Sequence, residues 1–103
     1  MGLVDKQSKF SEMVSLLLQY ARFLDYQVTL GDAYRADTCL HGHKHSLHRQ
    51  RLAIDLNIFI RGQYCTKSED YIELGEFWEL IGGSWGGRFN DGNHFSIEHE
   101  GMK

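Results

Sequence analysis

The chain has 103 residues, enough for one domain with a modest core, because small domains hide a smaller share of their surface. Apolar residues make up 42% and charged residues 24%, the balance of an ordinary soluble globular protein. The formal net charge of −3 lacks the basic footprint that polyanion binding needs, so nucleic acid is excluded as a partner.

In chain order, Met1 to Phe10 is polar, carries Asp5, Lys6 and Lys9, and has no apolar core of signal-peptide type. The longest apolar run, Leu16-Leu17-Leu18, is far too short to span a bilayer. The expectation is a protein made in the cytoplasm and not inserted in a membrane, which reaches any extracellular target through another agent's release. Over residues 8–24, Phe10, Met13, Val14, Leu17, Tyr20, Ala21 and Leu24 recur at spacings of three and four, which predicts an amphipathic helix. Residues 26–30 alternate and read as a strand, ended by Gly31-Asp32.

Residues 36–50 have no apolar period and read as a long loop, a feature that in compact domains often carries function. Residues 52–60 alternate again, with Leu52, Ile54, Leu56 and Ile58 on one face and Ala53, Asp55, Asn57 and Phe59 on the other. Arg61-Gly62 reads as a turn, followed by a short return strand from Gln63 to Thr66. Ser68 is a candidate N-cap for a helix over about 70–81, with Glu69 and Asp70 suited to its first turn and Gly82-Gly83 to stop it. The glycine-rich segment 82–94 reads as irregular, and 94–98 as a last strand. Two main helices and a small antiparallel sheet make an α+β domain, a single one over 1–103.

Six histidines fall in two short segments, 41–48 and 94–99, and such crowding points to a metal. Asp55 interrupts an apolar strand, where a carboxylate is costly unless paired; on this ground alone it is equally a solvent-facing residue beside Asn57. Asp91 and His94 stand three apart across a glycine turn, so the imidazole can bind a metal while the carboxylate handles protons, or the turn is merely a turn. Two imidazoles and one carboxylate are a common catalytic zinc set that leaves a fourth position for water, whose pKa zinc lowers to about 7. Arg35 and Arg88 are candidates to hold a developing oxyanion or a substrate carboxylate, though solvation is the usual fate of arginine. Cys39 and Cys65 are expected as free thiols.

The stretch Ser46-Leu-His48-Arg-Gln-Arg-Leu-Ala53-Ile-Asp55 resembles the S-x-H-x-x-G-x-A-x-D signature of the VanX/VanY-like zinc D,D-peptidases. That family includes the L-alanyl-D-glutamate endopeptidases of phage and bacteria. Asp91-Gly-Asn-His94-Phe95 resembles its second signature, an acidic residue three positions before a histidine followed by an aromatic. Tyr34-Arg35 upstream and Trp85-Gly-Gly-Arg88 also fit, and the short form looks most like small phage or prophage endopeptidases.

The resemblance implies one zinc ion held by His48, Asp55 and His94, with Asp91 as general base and proton donor. It implies Arg35 as a transition-state or substrate contact, Ser46 and Arg88 at the substrate, and the fold shared with the hedgehog signalling domain. Its partner is the peptidoglycan stem peptide, cut by a monomer. Three positions depart from the signatures. Arg51 replaces a glycine, Asp91 replaces the glutamate of several members, and Ser96 stands where glutamate is common, with Glu98 the next candidate base.

Other readings of the same residues stay open. One is a D-alanyl-D-alanine carboxypeptidase, and another a non-catalytic zinc-binding interaction domain. A third is a structural zinc protein with a closed four-ligand site built on Cys39, His41, Cys65 and another ligand. His41, His43 and His45 could also form a second metal site, although such a run is more often a polar loop.

Overall fold

The computed structural model describes residues 2–31, 50–99 and 101. The loop read over 36–50 lies outside the described residues except for Gln50.

Helix α1 spans Leu3–Phe23 and buries Phe10, Met13, Leu17 and Ala21, one stripe at helical spacing. It begins five residues before the apolar period does. Asp5 suits its first turn, and two polar anchors hold that end. Lys6 Nζ donates to His99 Nδ1 at 3.0 Å, and Gln7 Nε2 donates to the Gln50 carbonyl at 2.9 Å. The helix closes with Asp25 in the left-handed region (φ 65°) and the Tyr26 N–H on the Ala21 carbonyl at 2.9 Å, a Schellman closure that satisfies an orphan carbonyl.

Strand β1 (Gln27–Leu30) runs antiparallel to β2 (Ala53–Ile60), with Gln27 opposite Phe59 and Leu30 opposite Leu56. Arg61 and Gly62, both at positive φ (53° and 80°), make the two-residue turn into β3 (Gln63–Tyr64), as a tight hairpin of this hand requires. A 3₁₀ turn over Ser68–Tyr71 leads into α2 (Ile72–Leu80). The expected cap on Ser68 does not form, because its hydroxyl accepts the Gly92 N–H at 2.9 Å instead. Within the segment read as irregular, Ser84–Trp85 form β4 and Gly86–Phe89 a 3₁₀ turn; β5 covers His94–Ser96. The sheet order is β1-β2-β5-β4, with β3 also pairing β2.

This is the α+β architecture of two helices and a small antiparallel sheet. Ile54, Leu56 and Ile58 of β2 join Phe95 of β5 and the buried stripes of both helices in one core. Trp78 of α2 sits at its centre, its ring edge-on to Phe10 and Phe95 at centroid distances of 5.8 and 5.9 Å. The opposite face of the sheet carries Asp55, Asn57 and Phe59 of β2. The register adds His94 and Ser96 of β5 and Tyr64 of β3 to that face, because directly opposed residues point to the same side. Among the described residues no helix is long and apolar enough to cross a membrane.

Tyr71 repairs the edge of β2 beside its short partner β3. Its hydroxyl, on a residue only 2% exposed, accepts the Ile58 N–H at 3.2 Å and donates to the Cys65 carbonyl at 2.9 Å. Tyr71→Phe leaves two buried backbone groups without this partner. It should lower stability by about 1–3 kcal/mol in urea denaturation, with the far-UV circular dichroism spectrum retained.

Candidate active site on the second face of the sheet

Antiparallel pairing sets Asp55 of β2 directly opposite His94 of β5. Backbone bonds from Leu56 N–H to Asn93 O (2.9 Å) and from Ile97 N–H to Leu52 O (3.1 Å) fix that register at both ends. His94 Nδ1 lies 3.4 Å from Asp55 Oδ1, with the two side chains 16% and 21% exposed. A charge-assisted hydrogen bond would draw the pair to about 2.7–2.9 Å. Two donors bound to one tetrahedral zinc at about 2.0–2.1 Å stand roughly 3.3–3.4 Å apart. The imidazole and carboxylate therefore fit as neighbouring ligands of such an ion. Among the described residues no third metal-binding side chain joins them. His48, Arg35 and Ser46 lie outside the described residues, as do Cys39, His41, His43 and His45.

Asp91 is exposed at the turn that delivers His94 to β5. The turn is closed by His94 N–H on the Asp91 carbonyl (3.1 Å) and Asp91 N–H on the Gly86 carbonyl (2.9 Å). The Trp85 indole N–H donates to the Gly92 carbonyl at 2.7 Å, and the Ser68 hydroxyl holds the Gly92 N–H. The glycine-rich segment is thus a fixed bracket for Asp91 and His94. Gly86 sits where its neighbours leave no room for a side chain: a β-carbon there would run into the Asp91 carbonyl and stand 2.8 Å from His94 Cβ.

Arg88 faces elsewhere. Its guanidinium makes a two-pronged bond to Glu79 of α2 (2.7 and 3.1 Å) and lies over the Trp85 ring at 5.2 Å. It lines a hollow with Glu79, Ser84 and Phe89, whereas Asp91 lines another with Tyr64, Thr66 and Asn93. The hydrogen bonds from Arg88 hold the Glu79 carboxyl below the usual carboxylate range. Glu98 is exposed beyond the end of β5.

One side chain of this face, Asn57, is not singled out as a site residue by the sequence. Asn57 Oδ1 accepts from Tyr64 Oη (3.3 Å) and from Asn93 Nδ2 (3.4 Å), tying β2 to the hairpin and to the His94 turn. The available signal was parity, since Asn57 and Asp55 share a face of an alternating strand. Arg51 has φ 58°, so the position where the signature carries glycine is a left-handed one, at which an L side chain is strained and glycine is not.

One face of the sheet packs against the helices, and the other carries the Asp55–His94 pair, with Asp91 exposed in the turn that leads to it. Residues 41–97 match the family model described as D-alanyl-D-alanine carboxypeptidase, and the chain belongs to that family of peptidases, whose substrates are of the peptidoglycan type. Nothing among the curated proteins matches the chain.

Gly86→Ala should displace the Asp91–His94 turn while sparing the helical core. The expected result is a changed His94 imidazole environment by NMR and a melting temperature lower by several degrees, with α-helical circular dichroism intact. A second expectation concerns Glu79. Because its folded-state pKa is depressed, the Arg88–Glu79 pair contributes above the ordinary carboxylate range and is lost as pH falls through the lowered value. In an NMR acid titration Glu79 should titrate below the usual carboxylate range, and Arg88→Ala should move it up towards that range.

Proposed function

We propose that the chain is a zinc-dependent peptidase of the bacterial cell wall that cuts the stem peptide between L-alanine and D-glutamate. The observation that carries the reading is the His94–Asp55 pair, whose 3.4 Å separation suits two ligands of one ion. His48 is the third ligand in this reading, and the fold is that of the D,D-peptidases. A zinc ion held there supplies Lewis acidity for the scissile carbonyl and lowers the pKa of water to about 7.

The chain's own groups perform the rest. Asp91 accepts a proton from the attacking water and returns it to the leaving amine, so the carboxylate is regenerated in each turnover. Arg35 holds the substrate or its developing negative charge, and Ser46 lines the cleft. The second face of the sheet receives the peptide, because the first is filled by the core. Arg88 contributes to substrate binding only if it leaves Glu79, a modest step for an exposed pair. The chain acts as a monomer on the wall, after release from a cell carrying a phage or prophage.

The description of the matching family favours a second reading, removal of the terminal D-alanine. Mass spectrometry of muropeptides after digestion separates the two, since the first exposes the amino group of D-glutamate and the second releases free D-alanine. Chelator should abolish either product. Asp91→Asn should keep the fold and the bound zinc yet lose about a thousandfold in turnover, within the range for a general base. His94→Ala should lose the zinc as well. Tight zinc binding with no bond cut would favour a non-catalytic binding domain and sink the peptidase reading.

A further inference from the structure

Phe59 of β2 and Tyr64 of β3 oppose one another across the hairpin, on the same side of the sheet as Asp55 and His94. Their ring centroids are 5.3 Å apart, and Tyr64 is 53% exposed. The Tyr64 hydroxyl is pinned to Asn57 at 3.3 Å, which fixes the ring's position on that face. Beside the ring lies a hollow of about 150 Å³, shared by Tyr64, Thr66, Ser68, Asn90, Asp91 and Asn93. Ser68 Oγ accepts the Gly92 N–H and keeps its own proton for donation. An exposed aromatic ring flanked by hydroxyls, side-chain amides and a carboxylate is the chemistry that holds a sugar. The apolar C–H face of the pyranose packs on the ring, and the polar groups bond its hydroxyl and acetamido substituents.

We infer that this hollow is a subsite for the N-acetylmuramyl sugar to which the stem peptide is attached. The inference rests on the peptidase reading and deepens it. Asp91 borders the hollow, so an occupant lies within a residue or two of the bond that Asp91 serves, about 7 Å of extended chain. In a stem peptide the sugar is joined through its lactyl group to L-alanine, so only cleavage after that residue brings the sugar so near. A bond between the terminal D-alanines leaves it four residues away, about 14 Å. The subsite therefore accounts for selectivity towards the first peptide bond.

Two measurements test this on the full chain in zinc-containing buffer. The first is kinetic: a muramyl-linked stem peptide is compared with the same peptide capped by acetyl. The wild type should favour the muramyl substrate by about tenfold in kcat/KM, the effect of one good contact. Tyr64→Ala should bring that ratio close to one, while Tyr64→Phe, which keeps the ring, should preserve it. A wild-type ratio near one, or an equal loss on both substrates in Tyr64→Ala, overturns the inference and leaves the peptidase reading standing. The second is an NMR titration with N-acetylmuramyl-L-alanine against N-acetyl-L-alanine. Shifts at Tyr64, Asn90 and Asn93 with the sugar-bearing ligand alone support the subsite even if no bond is cut, in which case the peptidase reading falls by itself. Equal shifts with both ligands, or none, overturn it.

Discussion

The short ladder between β2 and β5 fixes both the core and the candidate site. Its three rungs set Ala53 opposite Ser96, Ile54 opposite Phe95 and Asp55 opposite His94. The middle rung drives Phe95 into the core against Trp78, while the rung beside it holds an imidazole and a carboxylate on the other face. Because side chains alternate along a strand, a slip of one residue would expose Phe95 and bury His94. Hydrophobic burial thus enforces the pairing that sets Asp55 beside His94. For Phe95, fully buried, this amounts to about 3–5 kcal/mol by comparison with large-to-small core substitutions.

The segment between β4 and β5 turns that register into a defined site. Its glycines are a consequence of crowding rather than of looseness. Gly87 of this segment and Gly75 of α2 both lie against the Trp85 ring, where any β-carbon would overlap it. The flattened indole can then reach the Gly92 carbonyl with its N–H, while Ser68 takes the Gly92 N–H from the other side. Both backbone groups of one residue in the Asp91–His94 turn are satisfied by side chains anchored elsewhere. A side chain carried on a bracket of this kind loses little entropy when it engages a partner, which is the physical content of preorganisation.

How much of this was legible in the sequence depends on how local the cause is. The stripe of α1 and the alternation of β2 come from periodicity, and Arg61-Gly62 is readable because its turn demands positive φ at both positions. The first turns of α1 were not legible, because they rest on Lys6 reaching His99 and Gln7 reaching Gln50, contacts distant in sequence. Ser68 misled for the same reason: its residue type suits a helix cap, but a donor 24 positions away claims the hydroxyl. At the site, Asp55 and His94 were found through motif resemblance, since neither residue alone distinguishes a ligand from a solvent-facing group. Their shared rung depends on strand pairing, which spacing does not encode. Arg88 carries no local sign that Glu79 holds it.

The position of Cys65 weighs against the structural-zinc alternative, whose Cys39 and His41 lie outside the described residues. The Cys65 thiol belongs to the hydrophobic core with Ile58, Tyr71 and Leu74, while Asp55 and His94 occupy the opposite face of the sheet. Burial raises its pKa, which favours the neutral thiol, whereas a zinc ligand must be a thiolate. Drawing that sulfur to a metal would require ionising a thiol that burial holds neutral. The imidazole and carboxylate of the second face need no such change.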